Sequence, residues 1–227
     1  MDSPLVSVII PVCNGAAYLA EAIESVLAQT YAPLELTVVN DGSTDDSSQI
    51  AASYGSVRLI QQSNAGAAAA RNRGIQDAGG MFLAFLDADD LWMPDKVEIQ
   101  MALLRRRPEV ELVTGLVESF ISPELQASDF AGITVPSEGL PGYIPSAILC
   151  TRKAFERVGS FDEELTSGEF LSWGMRAIER LAIETLPLPV VRRRIHLAHL
   201  NGRGLQDNRM ILRLIKASLD RRRGKTL

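Results

Sequence analysis

The sequence predicts an α/β fold: a Rossmann-like α/β/α sandwich with a mixed, mainly parallel central sheet and a helix at the C-terminal end. Three observations predict it. Apolar, β-branched runs of strand length alternate with helical periods over the first hundred residues. Those runs open into polar turns rich in Asp, Asn and Gly, at the positions where open α/β sheets bind ligands. The fourth run, Met81–Leu86, leads directly into three carboxylates, Asp87, Asp89 and Asp90.

Leu5–Ile10 is a buried strand that Pro11 stops. Asn14-Gly15 supplies a turn, after which Leu19, Ala22, Ile23, Val26 and Leu27 fall at helical spacing. Leu34–Val39 is the second strand. It opens into Asn40-Asp41-Gly42-Ser43-Thr44-Asp45-Asp46, where Ser43 or Thr44 is expected to cap a helix running to about Tyr54. Val57–Gln61 is the third strand. The helix Ala67–Ala78 follows, and its alanines at 67 to 70 admit a close neighbour. Met81–Leu86 and the helix Asp95–Arg107 complete a series of right-handed βαβ units.

The second half is less regular. Val110–Phe120 reads as a longer strand, and Ser122–Pro145, rich in Pro, Gly and Ser, reads as a lid or recognition loop. Ala147–Thr151 is a short strand, Lys153–Val158 a helical turn and Gly168–Leu181 a helix. Two strands, Ile183–Leu188 and Val190–His196, are expected around Pro187 and Pro189. A basic amphipathic helix, Arg209–Arg223, carries Ile211, Leu212, Ile215 and Leu219 on one side. The expected organisation is one domain over 1–227, with a nucleotide-binding half (1–107), a less regular second half (108–200) and a basic helical tail (201–227).

The net charge of −5 argues against a nucleic-acid partner. Residues 201–227 hold eight Lys/Arg against two Asp/Glu, so the first 200 residues are the acidic part. The tail reads as a solvated face, with a peripheral contact to an anionic membrane surface, an acidic partner or a homodimer contact as alternatives. Arg192-Arg193-Arg194 likewise reads as a solvated face. Cys13 and Cys150 are expected as two buried free thiols. The N-terminal residues lack a signal-peptide pattern and no window holds 18 uninterrupted apolar residues, so a cytoplasmic location is expected.

If the sheet is parallel, Pro11–Asn14, Asp41–Ser43 and Asp87–Asp90 all leave strands at one edge. Asp41, Asp87 and Asp89, with Arg71 from an adjoining helix, suit a nucleoside diphosphate with a divalent cation. On spacing alone, Asp87-Ala88-Asp89-Asp90 reads equally as an acidic turn starting the next helix. No G-x-G-x-x-G or G-x-x-x-x-G-K loop follows the first strand. That absence leaves a diphosphate to a cation and basic side chains. It also speaks against a sugar nucleotidyltransferase, which needs a Gly-rich basic loop where Pro11-Val12-Cys13-Asn14 stands.

Several motifs fall in an order that resembles family 2 glycosyltransferases. They are Val6-Ser7-Val8-Ile9-Ile10-Pro11, Asn14-Gly15, Tyr18-Leu19, Ser25–Thr30, Asn40–Asp45, Asn64-Ala65-Gly66, Ala70–Gly74 and Phe85–Asp90. The resemblance is strong over residues 5–100 and thinner at Val158–Glu163, Gly168-Glu169 and Arg194-Ile195-His196. It implies a GT-A fold and inverting transfer from a nucleoside-diphosphate sugar, usually a UDP-sugar. By the same resemblance, Pro11, Val12 and Asn14 line the base, Asp41 bonds it, Arg71 holds the nucleotide and Asp87 faces ribose or sugar. Asp89 binds Mn²⁺ or Mg²⁺, and His196 falls where relatives place a histidine that completes the metal site.

Inverting transfer needs a carboxylate to take the acceptor proton. The resemblance implies one at a helix start, and Glu169 stands there, followed by Phe170, with Ser172 where another acid is frequent. Glu169 is the expected base, and a first-turn glutamate complementing the helix dipole is the plain alternative. Trp173 reads as core or as an acceptor wall. The acceptor is open among glycan, lipid, peptide and small molecule. A rival reading is a catalytically weak or inactive nucleotide-sugar-binding protein of the same fold.

Overall fold

The computed structural model describes residues 3–126 and 139–197. The basic tail, its expected helix Arg209–Arg223 and the middle of the Ser122–Pro145 loop lie outside the described residues.

The first half follows the sequence closely: β1 (Val6–Val12), α1 (Leu19–Leu27), β2 (Leu34–Asp41), α2 (Ser47–Ala52), β3 (Val57–Gln62), α3 (Ala67–Asp77) and β4 (Phe82–Phe85). β1 is buried along its whole length and pairs in parallel with β2 on one side and β4 on the other. The winding therefore reverses between β1 and β4, and the cleft beyond their carboxyl ends is a topological switch point.

The second half contributes β5 (Leu91–Trp92), α4 (Lys96–Arg106), β6 (Leu112–Ile121), β7 (Leu140–Pro141), a 3-10 turn at Pro145–Ala147, β8 (Leu149–Thr151), α5 (Arg152–Val158), α6 (Glu169–Arg180) and β9 (Ile183–Ile195). Among the described residues the sheet runs β3-β2-β1-β4-β8-β6-β9-β5, with β7 on β6. β8 is antiparallel to β4 and β6, β9 is parallel to β6, and β5 is antiparallel to β9.

Alternation along β1 feeds two cores, one on each face of the sheet. Ile10 packs with Leu19, Ala51 and Val97 from α1, α2 and α4. Ile9 packs with Ala68, Phe155 and Trp173 from α3, α5 and α6. Gly74 lets α3 lie directly on the sheet, because a Cβ there would stand 2.6 Å from Ile9 Cγ2. No helix among the described residues is long and apolar enough to cross a membrane.

Four expectations are corrected, and one pair of readings is decided. First, α2 starts at Ser47, not after Ser43 or Thr44, because Ser43 Oγ accepts from the Asn14 amide (3.0 Å) and the Asp45 carboxylate accepts from Ser47 N (3.0 Å). Second, the two strands expected around Pro187 and Pro189 are one strand. β6 advances from Thr114 to Val117 while β9 advances from Thr185 to Val191, with Pro187 inside one register shift and Pro189, opposite Leu116, between the two. Gly115 makes room, since a Cβ there would meet Val190 Cγ1 at 2.5 Å. Third, Cys13 is exposed, because it lies past Pro11 in the turn where Asn14 takes φ 54°; Cys150 is buried. Trp173, read from the sequence as core or as an acceptor wall, is core, stacked on Phe155 and donating Nε1–H to Gly159 O at 2.8 Å. Fourth, Arg192 and Arg193 are exposed but Arg194 is buried, its guanidinium held over the Tyr18 and Phe120 rings and paired with Glu21.

Lys96 is fully buried, donating to Gln100 Oε1 (2.8 Å) and Ile148 O (3.3 Å) beneath the Trp92 ring. Burial pushes its pKa well below the ordinary 10.5. Between that lowered value and 10.5 the unfolded chain binds more protons than the folded one, so stability rises with pH across the window. Chemical denaturation at a series of pH values is expected to show this rise in the wild type. The Lys96→Met protein should lose that part of the slope.

Candidate active site

A cleft of about 560 Å³ opens at the carboxyl ends of β1, β2 and β4. Pro11, Val12, Asn14 and Asp41 line it from β1 and β2 and the turn after β1. Arg71 of α3, Asp87 and Asp89 after β4, and His196 after β9 complete the set. Eight residues selected from the sequence thus share one cavity.

The turns at the cleft mouth hold one another. Asn14 donates its amide to Ser43 Oγ and accepts from Thr44 N at 2.8 Å, while Gly15 N reaches Ser47 Oγ at 3.0 Å. Burial opposes the charge on Asp45, yet hydrogen bonds from Ser47 and Ala16 hold its carboxyl below the usual range. Asp41 is buried and accepts from Ala65 N and Gly66 N (both 2.8 Å) and from Gln62 Nε2 (2.7 Å). Its carboxylate therefore builds the entry to α3 as well as one wall of the cleft.

Three carboxylates follow β4, and each meets a different environment. Asp87 Oδ1 accepts from Arg71 Nη2 at 2.6 Å. Asp89 Oδ2 lies 2.9 Å from His196 Nε2, and the His196 ring packs 4.9 Å from the Tyr18 ring. Asp90 is buried, accepting from Ser146 Oγ (2.8 Å) and Arg194 N (3.2 Å). Burial, with Asp87 and Asp89 nearby, raises the Asp90 pKa well above the ordinary carboxylate value. Asp90 is thus a structural member of the turn.

Among the described residues no three His, Cys, Asp or Glu side chains gather as a metal site. The Asp89–His196 pair nonetheless fits a cation that shares its coordination with a substrate. The two side chains hydrogen-bond each other across 2.9 Å, so both donor atoms could turn to one cation in place of the shared proton. Such ions take one or two protein ligands and substrate phosphates rather than a complete protein cage. An imidazole ligand favours Mn²⁺ over Mg²⁺.

A second cleft, about 420 Å³, shares Arg71, Asp87 and Asp89 with the first and adds Glu169, Phe170 and Arg193. Arg71 is the partition. It is 4% exposed, with Nη2 on Asp87 and Nη1 on Glu169 Oε1 at 2.7 Å. Burial works against its charge, but the two carboxylates raise its pKa. The guanidinium sits 5.8 Å from the Phe161 ring centroid, and its buried Nε has no hydrogen-bond partner among the described residues. Asn72 fixes Phe161 from below, donating to its carbonyl (2.9 Å) and accepting from its amide (3.0 Å).

Glu169 opens α6 after Gly168, which takes φ 73°. The next side chain points elsewhere: Phe170 packs 6.4 Å from Phe161 and 6.0 Å from Trp173. Helical phase therefore turns position 169 toward Arg71 and position 170 toward the aromatic core. Arg194 and Ser146 were not selected from the sequence as site residues. A single arginine in a run of three, or a serine in an irregular stretch, carries no periodic signal.

A model of the family described as Glycosyl transferase family 2 matches residues 7–159. The chain belongs to glycosyl transferase family 2. It is 37% identical over 181 residues to an uncharacterized glycosyltransferase of Rickettsia typhi, covering 72% of this chain and 55% of that protein. It is 35% identical over 135 residues to WfgD of Escherichia coli, a UDP-Glc:alpha-D-GlcNAc-diphosphoundecaprenol beta-1,3-glucosyltransferase, covering 55% of this chain and 53% of WfgD. The chain thus spans about half the length of these relatives. The structure of an S. aureus TarS fragment in complex with UDP-GlcNAc matches with a TM-score of 0.74 at 22% identity, over 94% of this chain and 66% of that one. The TarS fragment in complex with UDP matches with a TM-score of 0.68, also at 22% identity, over 84% of this chain and 60% of that one. The GT-A fold expected from the sequence is the fold of this family 2 chain.

Removing the Arg71 cation leaves Asp87 and Glu169 facing each other without compensation. Arg71→Met is expected to destabilise the protein by roughly 2–3 kcal/mol, below the loss for a fully buried pair, because Asp87 keeps 31% side-chain exposure. Urea denaturation at neutral pH measures it.

Proposed function

We propose that this chain transfers a sugar from a UDP-sugar to an acceptor hydroxyl by an inverting single displacement. The observation that carries the reading is the Arg71 fork, which holds Asp87 and Glu169 on either side of a partition between two clefts. UDP and UDP-GlcNAc occupy the TarS structures that share this fold, and WfgD is named for a UDP-glucose donor. Both support the choice of nucleotide.

In this reading the nucleotide enters the first cleft. The backbone around Pro11, Val12 and Asn14 lies against the base, and Asp41, already oriented by Ala65 and Gly66, bonds its edge. Asp87 faces ribose or sugar. Asp89 and His196 would hold Mn²⁺ or Mg²⁺, which supplies positive charge to the departing diphosphate. Arg71 adds a fixed cation to the same wall and keeps both carboxylates in place, so its part is positional as well as electrostatic.

Glu169 is the proposed base. It lines the second cleft, where an acceptor hydroxyl would approach the sugar from the face opposite the nucleotide. There it takes the hydroxyl proton as the oxygen attacks. The contact of Glu169 with Arg71 supports Glu169 over position 170, since Phe170 borders the same cleft but packs on Phe161 and Trp173. A nucleotide-sugar-binding protein without turnover is the second reading, favoured by Phe170 and Ser172 standing where the family resemblance implies acids. The acceptor class stays open among glycan, lipid, peptide and small molecule.

A thermal-shift series with UDP, GDP, CDP and TDP, each with and without Mn²⁺, tests the donor. UDP with Mn²⁺ is expected to give the largest stabilisation, and Asp89→Ala should remove the Mn²⁺-dependent part while leaving the UDP part. No stabilisation by any nucleotide would sink the reading. Transfer or donor hydrolysis by Glu169→Gln is expected to fall roughly 10²–10⁴-fold with UDP binding retained. Activity equal to wild type would remove Glu169 from the base position, and absence of turnover in the wild type would favour the binding protein.

A further inference from the structure

We infer that Arg194 is a positioning residue for the cation pair Asp89–His196. The inference rests on the proposed role of that pair. Asp89 and His196 come from chain segments 107 residues apart, the turn after β4 and the end of β9. Their donor atoms must stay within a few tenths of an ångström of a spacing that one ion can bridge. Neither segment is held by regular pairing at the ligand itself, so something must fix one against the other.

Arg194 does so with its backbone and its side chain together. Its amide donates to Asp90 Oδ1 at 3.2 Å, and its Nε donates to the carbonyl of Asp89 at 3.1 Å. One residue thus grips the backbone of the first ligand and the side chain of the residue after it, two positions before the second ligand. The guanidinium is itself immobilised. Nη2 pairs with Glu21 Oε2 at 2.8 Å, Nη1 reaches Ser122 Oγ at 3.4 Å, and the Tyr18 and Phe120 rings each lie 4.7 Å from Cζ. The Tyr18 ring then packs on His196, and its hydroxyl donates to Glu124, which also accepts from Ser122.

A planar fork with separate Nε and Nη donors between two rings is a set of contacts lysine cannot reproduce. A buried guanidinium costs desolvation, and an apolar residue of similar size would suffice if the position served packing alone. The structure spends that desolvation where the two ligand-bearing segments meet. Partners that orient metal ligands in this way typically change metal affinity 10–100-fold when removed.

The test measures Mn²⁺ affinity in the presence of UDP by the electron paramagnetic resonance of free Mn²⁺. UDP affinity without metal is measured by calorimetry, and folding by melting temperature. Arg194→Lys and Arg194→Gln are expected to lose roughly 10–100-fold in Mn²⁺ affinity while metal-free UDP binding changes less than twofold. A purely structural role would lower the melting temperature and leave Mn²⁺ affinity in the folded fraction unchanged, which overturns the inference. If both Arg194 variants fail to fold, Glu21→Ala decides. Its carboxylate is half exposed, and freeing Arg194 there should weaken Mn²⁺ binding severalfold; no change overturns the inference. Wild-type protein that binds UDP with no dependence on Mn²⁺ removes the cation assignment and this inference together. Wild-type Mn²⁺ binding matched by the variants removes the inference alone.

Discussion

Electrostatic crowding at the end of β4 governs much of the surrounding architecture. Three carboxylates leave a buried strand within four residues, and like charges so close raise one another's energy unless each is answered. The fold answers them separately. Asp87 receives a buried guanidinium, Asp89 an imidazole, and Asp90 a serine hydroxyl and a backbone amide in a dry setting that favours its neutral form. The partners come from α3, the end of β9 and the 3-10 turn before β8. The acidic turn thereby draws elements from both halves of the sheet toward one point, and the two clefts lie on either side of it.

Much of this was legible in the sequence because the first half obeys simple periods. β1 to β4 are short apolar runs bounded by Pro, Gly and Asp, and the side chains at their carboxyl ends converge by topology alone. Asp41, Arg71, Asp87 and Asp89 could therefore be placed in one cleft before any distance was known. The second half resisted for identifiable reasons. β9 carries two prolines that normally end a strand, and its continuity depends on bulges set by the partner strand and on the missing Cβ of Gly115. The burial of Arg194 depends on Tyr18, Phe120 and Glu21, partners distant in sequence that a run of three arginines does not announce.

The aromatic cluster beneath Arg71 bears on what a substitution near Glu169 can mean. Phe155, Phe161, Phe170 and Trp173 pack mutually, with Phe155 and Trp173 stacked at 5.4 Å. This cluster sets the rotation of α6 about its axis, and that rotation decides which residue of its first turn meets Arg71. Phe170 touches the cluster and also borders the second cleft, while Arg71 is met by Glu169. The departure at Phe170 is therefore tied to how α6 is seated, and it does not by itself remove a carboxylate from the partition.

The bulged register between β6 and β9 has a further consequence. Between Thr114 and Val117 the partner strand spends six residues where β6 spends three. The three additional residues take up roughly 10 Å of extended chain without lengthening the sheet. Because three is odd, the inside–outside phase of everything beyond Val191 is inverted relative to an unbulged ladder. The irregularity works as a phase adjuster. It sets which face of the sheet Arg194 and, two positions on, His196 share on the way to the acidic turn. A chain with the same residues and an even-numbered insertion would show its chemistry to the other face of the sheet.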